Sequence, residues 1–157
     1  VRGMRAWILA VAVFSFAGCR GDEVKSATHH LSWKPPRGVT LTADTAAGLQ
    51  FSGGVKVTSI PGAPGPLPEE GGLDALLLTV LKASGDEPLD KRISGRLGDV
   101  PAGKVARWVL SGGGQRALHY YLPLKDRALV ISMVTPEAAF GTRESQLDLS
   151  LSTLKIE

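Results

Sequence analysis

Cysteine is nearly missing from this chain: Cys19 is the only one among 157 residues. A single thiol excludes an intrachain disulfide and a thiolate metal cluster, so the fold must rest on its apolar core. Long hydrophobic runs are missing too, because the most apolar stretch, Ala6 to Ala17, is too short to cross a bilayer. Charge of one sign is also scarce. The net charge is +3, and Arg2 and Arg5 in the apolar leader supply two of the positive charges, so the remainder is close to neutral. A domain of that balance lacks the basic footprint that phosphate backbones require, which argues against nucleic acid as a partner.

Complete catalytic signatures are absent as well. Gly98-Asp99-Val100-Pro101-Ala102-Gly103-Lys104 approaches a phosphate-binding loop, but Val105 stands where a magnesium-binding hydroxyl is needed. A β-type pattern also follows the lysine in place of a helix, whose N-terminal amides would meet the phosphates. Ser152-Thr153-Leu154-Lys155 matches Ser-x-x-Lys without the supporting Ser-Asp-Asn and Lys-Thr-Gly elements. His29 and His30 have no acidic or cysteine cluster nearby, and His119 shares a strand face with Ala117 and Tyr121. Neither a metal site nor a cofactor is expected from these histidines, and no catalytic residue is assigned. Arg20-Gly21-Asp22 is read as charged tether.

What is present begins with the leader. Arg2 and Arg5 form a basic start, the apolar run follows, and Phe16-Ala17-Gly18-Cys19 ends it as a lipobox. This predicts a lipoprotein signal peptide over residues 1–18 and a Cys19 modified with fatty acyl chains such as palmitate. The remaining chain suits one domain in length. Residues 19–31 are polar and unpatterned and predict a flexible tether, so that the ordered domain spans residues 32–157 and should fold without Val1 to Leu31.

Within that domain, Val39 to Thr42, Phe51 and Val55 to Ile60 have the alternation of strands. Pro61 to Pro68 is a loop. Leu73, Leu76, Leu77, Val80 and Leu81 predict a helix over about Leu73 to Ala83, stopped by Ser84-Gly85-Asp86. Pro88 to Gly103 is turn-rich. Lys104 to Ser111, Arg116 to Leu124 and Arg127 to Thr135 predict an antiparallel meander, closed by Gly112-Gly113-Gly114 and by Lys125-Asp126. In the third run Leu129, Ile131 and Met133 alternate with Ala128, Val130 and Val134, so both faces should be covered. Thr135-Pro136-Glu137 predicts a helix with a hydroxyl cap, packed through Phe140, Leu147, Leu151 and Leu154, with Glu144 on its solvated side. Leu154-Lys155-Ile156 predicts a short closing strand.

Three phrases in this frame carry a resemblance: Trp33-Lys34-Pro35-Pro36-x-Gly38 at the entry, Asp99-Val100-Pro101-Ala102-Gly103 before the meander, and Phe140 with Leu154-Lys155-Ile156 at the end. The chain resembles PsbP-like and DcrB-like domains over roughly Trp33 to Glu157. That fold is shared by a photosystem oxygen-evolving-complex subunit, a Ran-binding nuclear transport factor and many bacterial lipoproteins. The resemblance implies an α+β fold, an antiparallel β-sheet flanked by helices on both faces as an α/β/α sandwich. It also implies a binding or assembly role, and no functional residue of the family maps onto this chain.

The expected function is therefore that of a lipid-anchored cell-envelope module, non-catalytic, facing the periplasm or exterior. Its partners would be the membrane, through the anchor, and another envelope protein. Arg107, Trp108, Arg116, Tyr120, Tyr121 and Arg127 are the candidate interaction surface, because arginine and aromatic residues dominate interface hot spots. The alternatives are an envelope enzyme with a site gathered from separate loops, which an Asp or Glu beside His119 in a cleft would support, and a carrier of a small apolar ligand, which needs an internal cavity.

Overall fold

The computed structural model describes residues 21–86 and 89–157; the leader and Cys19 lie outside them. Seven strands form one antiparallel sheet. They are β3 (Leu41–Thr45), β4 (Gly48–Phe51), β5 (Val55–Pro61), β6 (Lys91–Val100), β7 (Gly103–Gly112), β8 (Gln115–Pro123) and β9 (Arg127–Pro136), in the order β3-β4-β5-β9-β8-β7-β6. A second sheet of order β1-β2-β10 joins β1 (Val24–Ser26) and β2 (Leu31–Trp33) to β10 (Lys155–Ile156). Helix α1 (Leu73–Ser84) links β5 to β6, and α2 (Glu137–Ser150) follows β9.

The meander forms where the pattern places it. The β7–β8 hairpin turns through Gly113 and Gly114, both with positive φ (57° and 77°), the backbone state that a two-residue hairpin loop demands. The central strand β9 divides its side chains between two core clusters. Leu129, Ile131 and Met133 pack with Phe140, Leu147 and Leu151. Ala128, Val130 and the partly buried Val134 pack with Leu73, Leu77, Val80 and Leu81 of α1.

Three expectations change. The segment taken as a tether is structured: β1 pairs with β2, and Leu31 is wholly buried. Backbone pairing and polar contacts order it, and neither leaves an apolar pattern to read. Ser26 Oγ donates to Asp44 Oδ2 (2.9 Å), and His29 Nε2 lies 2.6 Å from the Thr45 carbonyl oxygen. Removing residues up to Leu31 would thus remove core, contrary to the expected boundary. The stretch read as turn-rich holds β6, a ten-residue strand at the edge of the sheet. Its side chains are largely solvent-facing, and its glycines and a bulge between Arg92 and Ser94 erase the alternation. Thr135 does not cap α2; its Oγ1 accepts from Arg143 Nη1 (3.0 Å).

Candidate functional site

Two polar groups occupy the sheet. Cross-strand register puts Arg96 opposite Arg107 and Arg107 opposite Tyr120, so one row of β6, β7 and β8 carries two guanidiniums and a phenol. Arg107 is 8% exposed, and a charge so far from water requires compensation. It receives that from α2, where Glu144 and Asp148, one turn apart, both face it. Arg107 Nη2 is 2.8 Å from Glu144 Oε2 and 3.1 Å from Asp148 Oδ2, and Nε donates to Tyr120 Oη at 3.0 Å. Glu144, expected on the solvated side, is therefore an ion-pair partner. Arg116 binds Glu137 Oε1 through Nη2 (2.9 Å) and lies over the Phe140 ring at 5.6 Å.

Arg107, Arg116, Glu137, Phe140, Glu144 and Asp148 wall an open cleft of about 590 Å³, together with Arg96 and Ile93 of β6. Arg107 and Arg116 are spoken for inside the fold. The Arg96 side chain has no hydrogen bond or ion pair among the described residues, and Ile93 is 45% exposed. The cleft thus offers one uncommitted cation and one apolar contact beside a rigid lattice of paired charges.

The second group is buried at its centre. Lys56, Ser132, His119 and Trp108 stand side by side on β5, β9, β8 and β7. Asp86, just after α1, completes the set: its Oδ1 is 2.5 Å from Lys56 Nζ and its Oδ2 is 3.8 Å from His119 Nδ1. His119 and Ser132 are each 1% exposed. Asp86 Oδ2, His119 Nδ1, Ser132 Oγ and Trp108 Nε1 are buried without hydrogen-bond partners. The His119 pKa is lowered to about 4: burial is the main cause, Asp86 opposes it and Lys56 adds to it. The imidazole is neutral at pH 7. Burial likewise raises the Tyr121 pKa.

Serine, histidine and aspartate are the residue types of nucleophilic catalysis, and Asp86 is the acid beside His119 that an enzyme would need. The chemistry stops there. Ser132 Oγ bonds to nothing, and none of the described clefts that border Lys56 or α1 is lined by His119 or Ser132. Sequence reading missed this group because its members come from four strands and a loop. The available signal was Ser132, a lone hydroxyl inside the apolar run of β9.

The six residues expected to share an interaction surface are divided. Arg107 and Arg116 line the cleft, and Tyr120 is bonded to Arg107. Trp108, 0% exposed, and Tyr121 belong to the cluster containing α1. Neighbours in a strand point to opposite sides, so Arg107 and Trp108 cannot share a face, nor can Tyr120 and Tyr121. Arg127 lies elsewhere, donating to the His29 carbonyl (2.5 Å) and to Asp126 (3.1 Å). Lys104 is the second residue of β7, consistent with the phosphate-loop likeness being a hairpin turn. Ser152 lies in a 3₁₀ turn, its Oγ donating to Leu149 (2.7 Å). Among the described residues there is no group of three or more His, Cys, Asp or Glu placed to hold a metal, and no helix long and apolar enough to cross a membrane.

No protein-family model matches the chain, and no curated protein matches it in sequence. Solved structures do match. The solution structure of cyanobacterial PsbP (CyanoP) from Synechocystis sp. PCC 6803 superposes with a TM-score of 0.61 at 12% identity, covering 91% of this chain and 96% of that one. A crystal structure from Bacteroides thetaiotaomicron gives a TM-score of 0.54 at 12% identity, covering 87% of this chain and 48% of the other. Likeness at that identity speaks for architecture alone, and by architecture this mostly antiparallel sheet with its two helices is a PsbP-like fold.

Proposed function

We infer that the chain is a lipid-anchored binding or assembly module of the cell envelope, and that it engages an envelope protein at the cleft beside β6. The observation that carries this reading is the contrast between the two polar groups. The cleft is open and presents unpaired Arg96 and exposed Ile93 on a framework held by Arg107 and Arg116. The His119 imidazole and the Ser132 hydroxyl at the centre of the other group are shut away from solvent. Recognition needs the first arrangement, and turnover would need the second to be reachable. The division of β9 between two clusters supports the finer architecture, a sandwich with α1 and α2 on opposite faces of the sheet. The anchor rests on the basic leader, the short apolar run and Ala17-Gly18-Cys19. Several acyl chains, each contributing about 0.8 kcal/mol per buried methylene, hold a protein on a bilayer, whereas one does not.

The test uses the full chain in its native membrane. A photo-crosslinker at Ile93 should join a discrete partner, and Arg96→Glu should abolish that adduct while leaving the thermal midpoint unchanged. An adduct insensitive to Arg96→Glu, or none, refutes the cleft as the docking site. Intact-mass analysis checks the anchor separately: an unmodified Cys19 on the membrane-associated chain refutes it.

A further inference from the structure

The Asp86 carboxylate stands between two bases of different kind. On one side Lys56 Nζ contacts Oδ1 at 2.5 Å and also donates to the carbonyl of Ser84 at 2.7 Å, tying the last residue of α1 to β5. On the other, Oδ2 faces His119 Nδ1 at 3.8 Å, and both atoms are buried without a partner. A carboxylate oxygen and an imidazole nitrogen so placed lack only a proton and a short movement to make a charge-assisted hydrogen bond. Around His119 the other polar groups are Ser132 from β9, Trp108 from β7 and the Tyr121 phenol on its own strand. Helix α1 turns apolar residues inward, Leu73, Leu77, Val80 and Leu81 with the partly buried Leu76, so among the described residues Lys56 and Asp86 are the charges that act on the imidazole. Solvent reaches the set from one end. The Asp86 and Lys56 side chains are 15% and 28% exposed, and Lys56 borders a crevice of about 150 Å³ with Gln50, Thr58 and Ser84.

We propose that Lys56, Asp86 and His119 form a two-position latch on the end of α1, in which uptake of one solvent proton by His119 transfers Asp86 from the lysine to the imidazolium. With His119 neutral, Asp86 and the Ser84 carbonyl share Lys56, and the end of α1 is held on β5. When the imidazole takes up its proton, Nδ1–H donates to Oδ2, the carboxylate is drawn inward, and the hold of Lys56 on Asp86 and Ser84 loosens. No covalent bond changes, and the only proton that moves comes from water. The depressed His119 pKa places the second position in acid.

The test is a pH titration of the full chain in detergent by NMR, from neutral pH down past pH 4. In the wild type, the Ser84, Gly85 and Asp86 amides should shift with the midpoint of the His119 ring, while β9 amides stay in place. His119→Gln should remove that step. Lys56→Gln should move the His119 midpoint up and Asp86→Asn should move it down, opposite directions that simple loosening of the helix end would not produce. The latch is overturned if the step persists in His119→Gln, if the helix-end amides do not titrate with His119, or if the whole chain unfolds as the imidazole protonates.

Discussion

Lowering the pH should weaken the fold through His119 by an amount that its burial fixes. The folded imidazole titrates at about 4 and an unperturbed one at 6.5. Between those values the unfolded chain binds a proton that the folded chain refuses, so the stability contributed by the neutral imidazole is complete above pH 6.5 and is lost as pH falls toward 4. At about 1.4 kcal/mol per pH unit the full loss is about 3 kcal/mol, of which about 2 kcal/mol is gone by pH 5. Against a total stability of about 5 to 15 kcal/mol the domain stays folded but becomes easier to unfold. Urea denaturation from pH 7 to pH 5 is the assay, since most carboxylates stay ionised there; with a slope of about 1 to 3 kcal/mol per molar, the midpoint should fall by about 1 M. His119→Gln shifts the whole curve but cannot titrate, so its midpoint should fall less over the same range. If wild type and variant decline in parallel, His119 is not the buried neutral base described here.

Three further outcomes are expected. Replacing Glu144 and Asp148 together by alanine should cost about 1 to 3 kcal/mol, less than for a fully buried pair because both acids are partly exposed, and adding Arg107→Met should recover much of it; chemical denaturation of the three chains decides. Ile131→Ala should cost about 2 to 5 kcal/mol and Phe140→Ala about 3 to 5, against about 0.5 or less for exposed Thr79→Ala, and equal shifts in denaturant midpoint would refute the two-cluster core. A chain starting at Gly21 should melt cooperatively and without sensitivity to reductant, whereas one starting at Ser32 should melt lower because it lacks β1 and the wholly buried Leu31; identical thermal midpoints would refute the role of the small sheet.

Legibility followed the strength of periodic patterns. Strands β7 to β9 were readable because alternation over about ten residues and a Gly-Gly turn agree on one arrangement. Helix α1 was readable from Leu73, Leu77, Val80 and Leu81. Strand β6 was not, since an edge strand meets solvent and tolerates the glycines and charges that resemble turns. The first strands escaped because Ser26 and His29 are buried through hydrogen bonds, not through apolar character. The site divides likewise. Arg107, Arg116 and Tyr120 were visible as residue types, while their separation from Trp108 and Tyr121 needs only strand parity. The acids Glu144 and Asp148, and the meeting of Asp86 with His119, depend on how α2 and the end of α1 settle on the sheet, which no local pattern encodes.

The small sheet has a consequence for the order in which the chain acquires its shape. Strand β2 lies between β1 and β10, with Lys155 opposite Ser32 and Ile156 opposite Leu31, and the Glu157 amide reaches back to the His30 carbonyl at 2.8 Å. As the polypeptide is synthesised from its N-terminus, Leu31 and Trp33 emerge before most of the described core, yet their third strand comes from the last residues described. Closure of so long a loop carries an entropic cost that is met only when the rest of the domain has drawn its ends together. A nascent chain therefore carries β2 without its β10 partner until Lys155 and Ile156 arrive, and that pairing is among the last of the described contacts to form.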